Sequence, residues 1–164
     1  MWQGKSGAIT PGTTILAGMR EVAGAAQVSF STDGTGAESA DVVIAVVGEN
    51  PYAEGRGDRS DLALAEDERA LLERLDKTGK PLVVVLLSGR PMILGSALEQ
   101  AEAFVAAWLP GTEGGGIADV LYGVAKPSGK LSHSWPRSME QVPINDGDGK
   151  GDPLFRYGFG LLYP

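Results

Sequence analysis

The stretch from Asp41 to Ser60 constrains the fold more than any other part of the sequence. Its first part, residues 41–47, is a nearly unbroken run of apolar and β-branched residues. Such a run predicts a strand of a parallel sheet that is covered on both faces. Gly48 ends the run, and the next apolar periodicity begins only near Leu62. The strand therefore leads into a long loop at its carboxyl end, where α/β folds place ligands and chemistry.

Further apolar runs and helical patterns alternate along the chain. Strands are predicted over residues 81–87 and 104–109, and helices over residues 15–23, 65–78, 93–100 and 114–122. Shorter strands are expected over residues 27–31 and, at an edge, over residues 131–135, because Pro136 cannot lie inside a sheet. This alternation predicts an α/β fold, a three-layer sandwich with a mostly parallel sheet.

Length and charge narrow the possible functions. The 164 residues predict one domain, with an irregular lead-in over residues 1–12 and a loop and tail over residues 136–164. A net charge of −7 without a basic cluster argues against nucleic acid or an anionic membrane as partner. No apolar run approaches the about 20 residues of a membrane span. The compartment stays open, since no signal peptide is visible and a periplasmic or secreted parent protein is equally compatible with the sequence.

The loop after the first apolar run carries the densest polar cluster of the chain. Glu54, between Ala53 and Gly55, is a candidate general acid if partial burial raises its pKa. Tyr52 offers an aromatic face of the kind that sugar rings use. Glu49 lies at the strand end, and we expect loop amides or an arginine to hold it as an organiser. Composition alone favours a solvated loop over a catalytic one.

Three other features are weaker candidates. The glycine-rich turn over residues 111–116 could present amides to an anion, but close packing of the turn explains it better. Residues 146–152 resemble a calcium loop in which Lys150 occupies a ligand position, so an ordinary loop is favoured. His133 is the only histidine and has no defined acid partner, so we interpret it as structural. No metal site and no cofactor are predicted.

Several motifs together resemble the second domain of glycoside hydrolase family 3, which contains the β-glucosidases and exo-β-glucanases. The first is GENPYAEGRGD at residues 48–58, and the likeness continues in LSGRP at 87–91, AAWLPGTEG at 106–114, PSGKL at 127–131 and DPLFRYGFGL at 152–161. These motifs are ordered and spread over nearly the whole chain. The resemblance implies the α/β sandwich domain that follows a (β/α)8 barrel in this family.

The resemblance also implies roles for the loop residues. By its place in the PYxE motif, Glu54 is the acid/base of a retaining hydrolase whose aspartate nucleophile lies on the barrel. We assign Tyr52 and Arg56 to substrate binding, and Glu49 and Asp58 to organising the loop. The implied substrate is a β-glucoside or a β-glucan oligosaccharide. Because 164 residues cannot also contain a barrel of about 250, we expect the chain alone to be inactive and the barrel to be its partner.

The start of the chain departs from the family pattern. Trp2, Gln3 and Gly4 resemble a WQG that the family places after a first strand and a loop with a substrate-stacking tryptophan, neither of which precedes it here. The sheet should therefore lack one strand and keep a groove with unpaired amides. We expect the chain to pair with itself, to swap a segment or to bind an upstream fragment.

Two other interpretations stay open. The chain could be a non-catalytic α/β module that binds sugar or scaffolds a partner, with Glu54 idle. It could also be a flavodoxin-like binding domain, although the glycines of a phosphate loop are missing. Neither the linkage preference nor the oligomeric state follows from the sequence.

Overall fold

A computed structural model describes residues 10–52 and 54–163, and within this part three strands form one parallel sheet. The strands are β1 (Val43–Gly48), β2 (Leu82–Leu87) and β3 (Ala103–Trp108), and they lie in the order β1-β2-β3. The register is regular between β1 and β2, and it shifts by one residue near Leu87 in the pairing with β3. The predicted parallel α/β fold is confirmed.

Three α-helices accompany the sheet, and their bounds lie within two residues of the predicted ones. They are α1 (Ile15–Val22), α2 (Glu66–Asp76) and α3 (Gly114–Leu121). The side-chain oxygen of Thr14 caps α1 by accepting from the Ala17 N–H at 3.1 Å. After α2, Gly79 adopts the left-handed conformation with φ of 67° that favours glycine.

The main core lies between α2 and one face of the sheet. Leu72 and Leu75 of α2 pack with the side chains that alternate inward along the strands, among them Ala45, Val47 and Val84. All five are at most 5% exposed. This packing fixes the direction of β1 and therefore the place where its loop leaves the sheet.

Helices α1 and α3 pack against each other through glycine. A Cβ on Gly18 of α1 would lie 2.8 Å from the Cα of Gly115, and one on Gly114 would lie 2.4 Å from the Ile15 nitrogen. The Gly114 N–H also donates to the Thr13 carbonyl at 3.0 Å. The glycine-rich turn before α3 is thus used for close packing of the backbone.

Two short predicted strands are wrong. Residues 27–31 belong to no strand, and residues 131–135 contribute one antiparallel bridge between Trp135 and Phe155. The helix expected over residues 93–100 is a 3₁₀ turn, Gly95–Leu98; further 3₁₀ turns are Ala37–Ser39, Glu54–Gly57 and Met139–Gln141. The expectations for Trp2, Gln3 and Gly4 lie outside the described residues, as does most of the lead-in over residues 1–12.

The outer edge of β1 is open in the described part of the chain. Val43 and Glu49 donate their N–H groups to the β2 side, to the carbonyls of Pro81 and Leu87 at 2.9 and 3.0 Å. Because donors alternate along a parallel strand, the N–H groups of Ile44 and Val46 face outward. A groove of about 420 Å³ runs along this edge.

Several elements surround the groove beside β1. Its lining comes from α1, from α2, from β1 and from the segment over residues 28–32, which lies across the groove from β1. Residues 27–31 have no ladder partner among the described residues, which is why the alternating pattern does not produce a strand there. No helix of the described residues is both long and apolar enough to cross a membrane.

Candidate active site at the carboxyl end of β1

The loop between β1 and α2 begins with a buried carboxylate. Glu49 directly follows β1, and its side chain is only 4% exposed. Its Oε1 accepts from Nε and Nη2 of Arg90 at 3.1 and 2.7 Å and from Nη1 of Arg59 at 3.4 Å. Its Oε2 is buried and has no hydrogen-bond partner among the described residues. Two arginine side chains therefore hold the Glu49 carboxylate in place, and little of its surface is accessible to another group.

Arg90 joins the start of the loop to its middle. It lies in the turn after β2, where the Ser88 hydroxyl donates to the Arg90 carbonyl at 2.7 Å. While two of its nitrogens bind Glu49, Nη1 donates to the Gly57 carbonyl at 2.7 Å. The hydrogen bond with Glu49 raises the pKa of Arg90 above its ordinary value. A permanently charged guanidinium thus connects residues 49 and 57 across the rim of the sheet.

Tyr52 covers this ion pair. The Arg90 guanidinium lies 4.6 Å from the centre of the Tyr52 ring, a cation–π contact. A Cβ on Gly57 would lie 2.3 Å from the ring, so Tyr52 can pack here only because residue 57 is glycine. Burial raises the pKa of Tyr52, and the charge of Glu49 adds to the rise. The ring still keeps part of its surface exposed toward solvent.

Glu54 stands outside this cluster. It begins the 3₁₀ turn Glu54–Gly57 with a φ of 49°, a left-handed conformation that is rare for a residue with a side chain. Its side chain is exposed and forms no hydrogen bond or ion pair with the described residues. Arg56 is likewise exposed and unpaired within residues 10–52 and 54–163. The carboxylate is therefore free to meet a group supplied from outside this loop.

The structure brings some of the expected site residues together and separates others. Glu49, Tyr52 and Arg56 line one cleft of about 280 Å³, together with Arg59 and Glu68. Glu54 and Asp58 are not part of its lining. Asp58 donates its N–H to the Gly55 carbonyl at 3.3 Å, but its side chain makes no hydrogen bond in the described structure. Its organising role stays a prediction.

Two contributors were missed from the sequence. Arg90 follows the neighbouring strand in the SGRP motif, and the carboxyl ends of parallel strands meet at one edge, so its position was available as a signal. Glu68 of α2 was not singled out from the sequence. It accepts from the Gly48 N–H at 2.7 Å through Oε1 and from the Ala65 N–H at 3.2 Å through Oε2. This carboxylate satisfies the outward N–H at the end of β1.

In two of the weaker candidates, the loop over residues 146–152 and His133, the side chains make local contacts. The carboxylate of Asp148 accepts from the N–H groups of Asn145 and Lys150 at 2.6 and 3.0 Å, which closes that turn on itself. The Nδ1 atom of His133 lies 3.0 Å from the Ser132 hydroxyl, and its ring meets Trp108 edge-on at 5.4 Å. Within the described residues, no group of three or more acidic, histidine or cysteine side chains could hold a metal ion.

Comparison with known families gives the context of this site. The profile of the family described as "Glycosyl hydrolase family 3 C-terminal domain" matches residues 1–163. The chain belongs to this family. A family 3 relative, the periplasmic beta-glucosidase of Salmonella typhimurium, is 41% identical over 150 residues, which is 77% of this chain and 20% of that protein. The lysosomal beta glucosidase of Dictyostelium discoideum is 35% identical and covers 99% of this chain and 23% of its own length.

Solved family 3 structures agree with the fold. The exo-1,3/1,4-beta-glucanase ExoP from a Pseudoalteromonas species superimposes with a TM-score of 0.86 at 40% identity, over 92% of this chain and 20% of that one. A beta-glucosidase from Listeria innocua in complex with gluconolactone gives 0.79 at 27% identity, over 93% and 26%. The chain thus spans about a fifth of the length of the curated relatives it matches. It is a family 3 C-terminal domain, and its relatives include beta-xylosidases as well as beta-glucosidases.

Proposed function

We propose that this chain supplies the acid/base residue and part of the sugar site of a retaining β-glucosidase or exo-β-glucanase. Glu54 is the proposed acid/base. The observation that carries the proposal is its position: an exposed carboxylate, unpaired among the described residues, at the start of a turn that Arg90 holds to the rim of the sheet. The neighbouring Glu49 is buried and paired with two arginines, so it is poorly suited to the same role.

In the proposed reaction, Glu54 protonates the leaving glycosidic oxygen while an aspartate attacks the anomeric carbon. Glu54 then removes a proton from the water that hydrolyses the glycosyl-enzyme intermediate. Tyr52 and Arg56 line the cleft beside the loop and are the proposed sugar contacts: an aromatic face and a guanidinium that no described residue pairs with. The proposed substrate class is a β-glucoside or β-glucan oligosaccharide.

The nucleophile has to come from another domain. Retaining hydrolysis needs two carboxyl groups about 5–5.5 Å apart, and the buried Glu49 is already neutralised by arginine. We therefore propose a (β/α)8 barrel that carries the aspartate as partner, and we expect the isolated chain to be inactive. Turnover of an aryl β-glucoside by the isolated chain that depends on Glu54 would contradict this.

The experiment combines the chain with a family 3 barrel domain, fused or mixed, and measures hydrolysis of an aryl β-glucoside. Glu54→Gln should lower kcat by about 10²–10⁴-fold, the usual contribution of general acid–base catalysis. The control Glu38→Gln removes an exposed carboxylate from a different 3₁₀ turn and should leave the rate unchanged. An active assembly that is indifferent to Glu54→Gln would favour a sugar-binding or scaffolding role for this chain.

We also propose that the open edge of β1 mediates self-association when the chain is alone. Two outward N–H groups, those of Ile44 and Val46, line a groove whose walls include residues of α1 and α2. Val42 and Val46 are about half exposed there. An uncovered apolar edge of this kind is a template for pairing with another strand.

A further inference from the structure

Arg90 is placed to control the geometry of the Glu54 turn, although it lies 36 residues away from Glu54 in the sequence. It lies in the turn that directly follows β2, so the central strand of the sheet determines where its side chain starts. The side chain is only 24% exposed. From this fixed base it reaches both flanks of the loop at once, Glu49 on one side and Gly57 on the other.

The contact with Gly57 acts on the turn that carries Glu54. The 3₁₀ turn runs from Glu54 to Gly57, and the Gly57 carbonyl accepts from Nη1 of Arg90 at 2.7 Å. A displacement of this carbonyl therefore displaces the whole four-residue turn. Glu54 also holds a left-handed φ of 49°, and such a conformation persists only where the surroundings fix it. Arg90 is the only side chain of the described residues that hydrogen-bonds to this turn.

Glu49 fixes the orientation of the Arg90 guanidinium. It accepts two hydrogen bonds from Arg90, so the plane of the guanidinium is defined before Nη1 meets Gly57. Tyr52 stacks on the outer face of the same group and prevents it from moving toward solvent. A lysine at position 90 would keep the charge, but one ammonium nitrogen cannot make the fork to Glu49 and reach Gly57 in the same geometry.

We propose that Arg90 is a positioning residue for the acid/base Glu54, with Glu49 as its anchor. This inference rests on the proposed function of Glu54. It assigns Arg90 no contact with substrate: the guanidinium sets the place of the Glu54 carboxylate through the Gly57 carbonyl. Its loss should therefore resemble a partial loss of the general acid. A misplacement of about 1 Å in a catalytic group can cost on the order of 10²-fold in rate.

The test uses the chain assembled with a family 3 barrel domain and two aryl β-glucosides with different leaving groups. Phenyl β-glucoside needs protonation of its leaving oxygen, whereas 2,4-dinitrophenolate leaves as a stable anion. Because kcat/KM reports the glycosylation step, loss of acid assistance should lower kcat/KM for the phenyl glucoside alone. We expect Arg90→Lys to lower it by about 10–100-fold and to leave the dinitrophenyl glucoside within about twofold. Glu54→Gln should give the same split with a larger loss.

The control is Arg74→Lys, which removes a guanidinium that donates to the Asp33 carbonyl at 2.6 Å, away from the loop. It should leave the ratio of the two kcat/KM values unchanged. Equal losses of Arg90→Lys on both substrates, or no loss on either, would overturn the proposal if Glu54→Gln still shows the split. If Glu54→Gln shows no split, the proposed function of Glu54 itself fails.

A second measurement does not depend on activity. The Asp58 N–H donates to the Gly55 carbonyl inside the turn, and its hydrogen exchange reports whether the turn is held. Arg90→Lys should speed this exchange by tenfold or more, while the amides of Val84 and Leu86 in β2 keep their protection. Unchanged exchange at Asp58 in a folded variant would contradict the positioning role.

Discussion

The carboxyl end and the outer edge of β1 differ in how their polar groups find hydrogen-bond partners. At the carboxyl end, side chains from distant elements satisfy the loop: Arg90 binds Glu49 and the Gly57 carbonyl, and Glu68 binds the Gly48 N–H. Along the outer edge, the outward N–H groups face a groove. Within the described residues, the polar groups at the rim are therefore satisfied by side chains of this chain, whereas the outer edge of β1 pairs with no strand.

The largest expected effect comes from breaking the ion pair at the rim. Arg90→Met should lower the free energy of unfolding by about 3 kcal/mol, because Glu49 stays buried with only the longer contact to Arg59. Urea denaturation of the chain measures the loss. The control Arg137→Met breaks an exposed ion pair with Asp152 and should cost less than about 1 kcal/mol. Equal losses of unfolding free energy in the two variants would mean that the buried ion pair at the rim contributes no more to stability than the exposed one.

A smaller effect is expected from crowding the rim at a single carbon. Gly57→Ala places a Cβ 2.3 Å from the Tyr52 ring and should cost about 2 kcal/mol through overpacking. Gly55→Ala, in the same turn, meets no atom within 4 Å and is the matched control, with little expected change. Urea denaturation of the two variants measures the difference in their free energies of unfolding. An unchanged stability of Gly57→Ala would show that the packing of Tyr52 over residue 57 does not contribute to stability.

The smallest effect concerns the edge. The isolated chain should associate with increasing concentration, and Val46→Lys should weaken this association by about tenfold, which corresponds to about 1.4 kcal/mol. Analytical ultracentrifugation measures it, with Val124→Lys, a substitution at a valine that is 69% exposed, as control. Sedimentation as a monomer at all concentrations would argue against self-association. Equal weakening by both variants would argue against the β1 edge as its site.

Local patterns predicted most of the fold because each strong element carries its own signal. The apolar runs of β1, β2 and β3 and the periodicity of α2 needed no knowledge of their neighbours. Residues 27–31 failed as a strand because a ladder depends on a partner, and no strand of the described residues pairs with them. Residues 131–135 failed for a similar reason, since only Trp135 finds a bridge partner.

The site was less accessible from the sequence than the fold. Glu49 could be placed at a strand end, but its arginines could not be identified from spacing, because Arg90 lies 41 residues further along the chain. The left-handed backbone of Glu54 also has no signal in its residue type. What the sequence did contain was the position of SGRP after the neighbouring strand, and topology converts that position into a contact.

The paired bonds of Glu68 have a consequence for altering this protein. One carboxylate joins the Gly48 N–H, where the loop starts, to the Ala65 N–H, where it ends. The stem of the loop is thereby closed independently of what lies between, and extra residues add only slowly to the entropy of closure. Segments of other lengths could thus be grafted between these two points while the sheet beneath keeps its register.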